Sequence, residues 1–229
     1  MNYKNNYYKL NEQIPEYVFR IILVGDSSSG KSSFLNRFCN DSFDSSNGST
    51  IGVDFRTKIM KIDDNKVIKF QIWDTAGQEN FYSICRSYYL HTCAAFVVYD
   101  ITNKKTFDNL NIWIKRLKEN NDNFNENKHG IIYLIGNKID LEEKREIKFE
   151  EGLQFAHKNK LLFSETSCKT GNSVYSTGER LANTIYYKIK EGKIKVNDSA
   201  NPSTGIKMHN QSIYINIKET NTKNNNCSC

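Results

Sequence analysis

One eight-residue stretch constrains this chain more than any other. Gly25-Asp26-Ser27-Ser28-Ser29-Gly30-Lys31-Ser32 has the pattern G-x-x-x-x-G-K-[ST], and its flanks matter as much as the pattern. Before it, Phe19 to Val24 is an apolar run of strand length; after it, Ser33 to Phe38 carries Phe34, Leu35 and Phe38 on one helical face. Strand, loop and helix together make a phosphate-binding loop, rather than a Gly/Ser-rich turn that happens to precede a lysine. Gly25 and Gly30 let the backbone turn sharply. The successive N–H groups of Asp26, Ser27, Ser28, Ser29 and Gly30 then face an anion at the positive end of the helix. Lys31 adds a mobile positive charge for the terminal phosphates, and the Ser32 hydroxyl is a hard oxygen ligand for Mg²⁺. The motif specifies a nucleoside triphosphate and leaves the base open.

Segments beyond the loop set the rest of the fold. The polar run from Asn40 to Thr50 predicts a loop in which Phe43 has nothing local to pack on. Phe55 to Ile62 and Lys66 to Trp73 read as a hairpin about Asp63-Asp64-Asn65. Ala94 to Tyr99 and Ile131 to Ile135 are continuous apolar runs, as strands buried on both faces should be, and a sixth, shorter strand begins at Leu162-Phe163. Helical stripes lie between them: Phe107, Leu110, Ile114 and Leu117 with Trp113 alongside; Leu153, Phe155 and Ala156; Leu181, Ile185 and Ile189. All three stripes are taken as core packing. The alternation predicts an α/β fold, a six-stranded mostly parallel sheet with helices on both faces, its ligand loops at the carboxyl ends of the strands.

With 229 residues, the expected parse is an N-terminal extension over 1–16, one domain over 17–192 and a polar, unstructured tail over 193–229. Within that tail, Ile213-Tyr214-Ile215-Asn216-Ile217 alternates; it reads either as a chance extended segment or as a docking strip. No apolar run is long enough to span a membrane, and the N-terminus lacks a signal-peptide core. The net charge of +6 suits an anionic membrane surface but is too diffuse to argue for nucleic acid. Cys39, Cys85, Cys93 and Cys168 lack metal spacing and read as free thiols, and the four histidines read as ordinary surface or half-buried residues.

Two further stretches carry chemistry. Asp74-Thr75-Ala76-Gly77-Gln78-Glu79 comes directly after the strand that ends at Trp73. Asp74 is placed to hold Mg²⁺ through water, Gly77 brings an unencumbered N–H near a γ-phosphate, and Gln78 orients an attacking water. Asn137-Lys138-Ile139-Asp140 ends another strand. The Asp140 carboxylate can accept two hydrogen bonds from guanine where adenine offers no matching donors, which makes discrimination steep.

On these residues the chain resembles the Ras superfamily and, within it, the Rab family, over Tyr17 to Gly192. GDSSSGKS (25–32), TIGVDF (50–55), WDTAGQE (73–79), NKID (137–140) and TSCK (166–169) carry the likeness; TIGVDF, the surroundings of Phe81 and Tyr88-Tyr89, and YDIT (99–102) look like Rab. Phe107 to Trp113 and Glu151 to Lys158 look like the subgroup associated with endoplasmic reticulum and lipid droplets. The resemblance implies a P-loop GTPase fold and a GTP/GDP switch with Mg²⁺ and slow intrinsic hydrolysis that regulates vesicle trafficking. It further implies that Thr50 coordinates Mg²⁺ and meets the γ-phosphate, that Phe43 stacks on guanine, that Ser33 reaches the α-phosphate, and that Ser167, Cys168 and Lys169 brace the base. It assigns the chemistry to Lys31, Thr50 and Gln78. The end Cys227-Ser228-Cys229 does not fit C-a-a-X and looks like the Rab C-x-C terminus, which takes two geranylgeranyl groups. Implied partners are an exchange factor, a GTPase-activating protein, effectors, an escort protein and a GDP-dissociation inhibitor. The implied place is the cytoplasmic face of an intracellular membrane (endoplasmic reticulum, Golgi or vesicle), with a cytosolic pool.

The chain departs from the Rab pattern at Ser28-Ser29, Asn80, Leu90-His91 and Cys168, where relatives commonly have Gly-Val, Arg, Arg-Gly and Ala. Two rival readings are a metabolic P-loop kinase or ATPase, disfavoured by the NKID stretch, and a nucleotide-binding scaffold without turnover, disfavoured by Thr50 and Gln78.

Overall fold

The computed structural model describes residues 14–44, 52–75, 87–125, 128–194, 196 and 204–208. In chain order these form β1 (Tyr17–Val24), α1 (Lys31–Asn40), β2 (Val53–Lys61), β3 (Val67–Thr75), β4 (Ala94–Asp100), α2 (Lys104–Asp108), α3 (Leu110–Asn120), β5 (Ile131–Asn137), α4 (Phe149–Lys158), β6 (Leu162–Thr166), α5 (Val174–Lys190) and β7 (Ile206–Met208). The main sheet runs β2-β3-β1-β4-β5-β6. Only β2 is antiparallel to its neighbour on that path, because it is joined to β3 by the expected hairpin through a short 3₁₀ turn at Asp63–Asn65.

Alternation along β1 shows how the core divides. Phe19, Ile21 and Leu23 face α1 and α5, joining Phe34, Phe38, Leu181 and Ile185; Ile22 and Val24 face the other way, joining Leu110, Trp113 and Leu117 of α3. Each side chain follows its strand's period of two, so helices cover both faces. Where α1 meets α5, Gly178 leaves room for the Phe38 ring, which would collide with any Cβ there. That ring is pinned between Phe34 and Phe70, with centroid separations of 6.0 and 5.8 Å.

Three expectations change. The stripe from Phe107 to Leu117 is two helices broken at Asn109, because the Asn103 side chain caps a short α2 and Asn109 closes it before α3 begins. Leu153 is 47% exposed rather than in the core; the inner face of α4 is made by the small Gly152 and Ala156, which let the helix sit close on Tyr99 and Phe163. The tail is not structureless throughout, since Ile206–Met208 pairs antiparallel with Tyr17–Phe19 and adds a seventh strand. The physical reason is an open slot: β4 meets β1 only from Ile21 onward, so the first half of β1 would otherwise leave backbone groups unpaired. Gly205 (φ 68) sits against the backbone of His91 to Cys93, where a Cβ would not fit, its carbonyl accepts from Arg20 N at 2.9 Å, and Ile206 is 3% exposed.

Candidate functional site

Five loops leave the same edge of the sheet, at the carboxyl ends of β1, β3, β4, β5 and β6. Strand order reverses at β1, whose neighbours are β3 on one side and β4 on the other, and open α/β sheets form their ligand crevice at such a point.

The loop after β1 turns as the glycine spacing predicts. Gly25 (φ 142) passes under the Val98 carbonyl and Gly30 (φ 96) under the Asn137 amide, and a Cβ at either would collide. Ser28 adopts φ 63, so the left-handed position is filled without glycine. Lys31 opens α1 with its ammonium folded back onto Asp26 O at 2.9 Å. Burial pulls that ammonium down to about 8, against the opposing pull of Asp74 and Asp26. A polyanion in the loop reverses the penalty by supplying a partner charge.

Asp74, near the end of β3, is fully buried, and burial raises its carboxyl above the usual range. Ser32 Oγ donates to Asp74 Oδ2, while the buried Oδ1 accepts no hydrogen bond among the described residues. An orphaned carboxylate oxygen beside a serine hydroxyl is a hard oxygen pair suited to a divalent cation such as Mg²⁺. Residues 76–86, with Gly77, Gln78 and Asn80, and residues 45–51, with Thr50, lie outside the described residues, as do Cys227 and Cys229.

At the other end of the crevice the NKID stretch and the loop after β6 interlock. Asn137 is 1% exposed, and its amide bridges three segments: Nδ2 donates to Ser29 O at 3.0 Å, and Oδ1 accepts from Thr166 Oγ1 at 3.3 Å and Cys168 Sγ at 3.2 Å. It ties the loop after β1 to the loop after β6. Asp140 Oδ1 accepts from Ser167 Oγ at 2.6 Å, and Ser167 Oγ accepts from Thr170 N at 3.1 Å. Lys138 (φ 76) reaches back to Asp100 Oδ2 at 2.6 Å. The Cys168 N–H faces Asn137 Oδ1 at 3.4 Å, and the thiol, raised to about 12 by burial, is inert at neutral pH. Phe43 stands 37% exposed beyond α1, and Ser33 and Lys169 lie in the first turn of α1 and in the β6 loop.

Sequence reasoning missed three members of the site. Arg37 on α1 donates to Cys168 O at 2.8 Å and Lys169 O at 2.9 Å, bracing the β6 loop. Asn109 and Trp113 both donate to Asp26. No motif marks them, because each acts across more than eighty residues of sequence.

The sequence profile of the Ras family matches residues 20–187. Ras-related protein Rab-11B of Dictyostelium discoideum is 42% identical over 194 residues, an alignment that covers 83% of this chain and 86% of that protein. The family match spans every loop of the crevice, from Gly25 after β1 to Lys169 after β6.

Proposed function

This chain belongs to the Ras family, as a GTP-binding and GTP-hydrolysing switch of the Rab type in vesicle trafficking, and from that premise we propose how its residues divide the work. The loop from Asp26 to Ser33 cradles the phosphates through backbone N–H groups, with Lys31 neutralising the terminal ones. Asp140, Ser167, Cys168 and Lys169 hold the guanine edge, with Asn137 and Lys138 fixing the loops around it, and Phe43 covers the base. Ser32, Thr50 and, through water, Asp74 would hold Mg²⁺, which supplies positive charge between the phosphates. Gln78 orients the attacking water, and Thr50 and Gly77 hold their two loops on the γ-phosphate until hydrolysis lets them relax. This reading gives the transferred phosphate no arginine among the described residues, so intrinsic hydrolysis is slow and a GTPase-activating protein supplies the missing charge.

The observation that carries this reading is the Asn137 bridge. One buried side chain joins Ser29 to Thr166 and Cys168, which supports a reading in which the loops proposed for phosphates and base are directly connected. Regulators and effectors act on such a switch, and it works at intracellular membranes. More specifically, we propose two geranylgeranyl groups on Cys227 and Cys229, delivered with an escort protein and masked by a GDP-dissociation inhibitor. Endoplasmic reticulum and lipid droplets are the first compartments to test.

Titration with fluorescent GTP and ATP, followed by single-turnover hydrolysis, tests the site. Purified protein should prefer GTP by at least a thousandfold, and Gln78→Leu should keep GTP bound while slowing its hydrolysis at least tenfold. Comparable ATP affinity would overturn the guanine assignment, and unchanged turnover in the variant would remove Gln78 from the chemistry.

A further inference from the structure

The phosphate loop carries a carboxylate at its second position, where its charge opposes the phosphates the loop receives. Asp26 is nevertheless fully engaged. Oδ1 accepts from Trp113 Nε1 at 2.6 Å and Oδ2 from Asn109 Nδ2 at 2.7 Å. The two donors stand four residues apart at the start of α3 and so share one helix face. Trp113 is 4% exposed, its indole packed in the core and capped by the Arg116 guanidinium at 4.8 Å. Asn109 sits where α2 ends and α3 begins, and its amide caps neither helix. The other end of Asp26 points into the site: its carbonyl accepts from Lys31 Nζ at 2.9 Å and from Ser29 N at 3.3 Å.

We infer that Asn109 and Trp113 are positioning residues for nucleotide binding, a role that rests on the phosphate-loop reading under the proposed function. By taking both carboxylate oxygens of Asp26 they hold its charge turned toward α3, and they fix the carbonyl that aims Lys31. Two charge-assisted hydrogen bonds are shorter and stronger than neutral ones, which suits a clamp on a loop that must stay rigid around a dissociable ligand. Removing either donor leaves a half-satisfied carboxylate, and the loop must move or admit water to relieve it. The cost then falls on the bound nucleotide, through a misplaced Lys31 and a freed negative charge. Removing Asp26 itself removes the need for the clamp.

That dependence on Asp26 separates positioning from general packing. Release of fluorescent GDP is measured for the parent, Asn109→Ala, Trp113→Phe, Asp26→Ala, and each α3 change combined with Asp26→Ala. With Asp26 in place, each α3 change should speed release about tenfold, roughly 1.4 kcal/mol. In the Asp26→Ala background the same changes should alter release by less than twofold. Equal factors in both backgrounds would mean that α3 acts only through packing, and release within twofold of the parent for Asn109→Ala would likewise overturn the clamp. Asn109→Ala leaves the core intact and so reports even if Trp113→Phe does not fold. A parent protein that fails to bind GDP would sink the functional reading, whereas one that binds GDP without this coupling sinks only the clamp.

Discussion

Asp140 and His91 show two ways in which one residue decides behaviour here. Asp140 is half-buried and already accepts a 2.6 Å bond from Ser167, so its carboxylate is held in a fixed direction before any base arrives. Asp140→Ala should raise the dissociation constant for GDP at least a hundredfold, about 2.7 kcal/mol, because two guanine donors would face an apolar group. Equilibrium titration checks it, and a change within threefold removes Asp140 from base recognition. His91 holds φ 60, at a position where the Rab pattern commonly has glycine. A side chain in that conformation costs on the order of 1 kcal/mol, partly offset because glycine frees the unfolded chain. His91→Gly should therefore raise stability in urea unfolding by up to about 1 kcal/mol. A loss beyond about 0.5 kcal/mol would show that the imidazole itself supports the fold.

Elements here act through their ends and edges. Strands β1, β3, β4, β5 and β6 each finish at the ligand edge, and α3 contributes two donors from its opening turn. The short β7 works at the opposite pole, along the first half of β1, with Ile206 in the core beside Cys93 and Phe19. Its three residues pair through few hydrogen bonds, so its attachment depends on that buried side chain. Ile206→Asp places a charge there and should cost the local structure at least about 2 kcal/mol. Hydrogen exchange reads this directly. The Arg20 amide, which donates to Gly205 O at 2.9 Å, should exchange roughly thirtyfold faster once β7 detaches. Unchanged protection at Arg20 would mean that β7 does not depend on Ile206.

At the scale of the whole molecule the two poles are separated by function. The proposed nucleotide site lies at the carboxyl edge, while β7 holds the chain at the far pole, upstream in sequence of Cys227 and Cys229. Among the described residues no helix is long and apolar enough to cross a membrane. The net charge of +6 is spread along the sequence, and salt screens diffuse charge at physiological ionic strength. The proposed lipids would supply attachment of their own: one chain gives marginal binding and two give a durable anchor, at about 0.8 kcal/mol per buried methylene. Changing both Cys227 and Cys229 to Ser should move the protein to the soluble fraction on membrane fractionation, with each single change intermediate. Unchanged membrane recovery for the double change would place the anchor elsewhere, in a bound partner.

Local chemistry was legible in the sequence because it is written in consecutive residues. The turn at Gly25 to Gly30, the hairpin about Asp63 to Asn65, the two-faced apolar strands and the order of nucleotide motifs all come from short-range sterics and periodicity. The tertiary structure decided what depends on distant segments meeting. It made Asn137 a bridge between the Ser29 and Cys168 loops, gave Arg37 the β6 loop to brace, and set Asn109 and Trp113 on Asp26. It also gave Ile206 a slot that exists only because β4 begins late against β1. Each of these is a hydrogen bond or buried contact between groups with no shared period. Nothing local favours one partner over another until the sheet has fixed their separation.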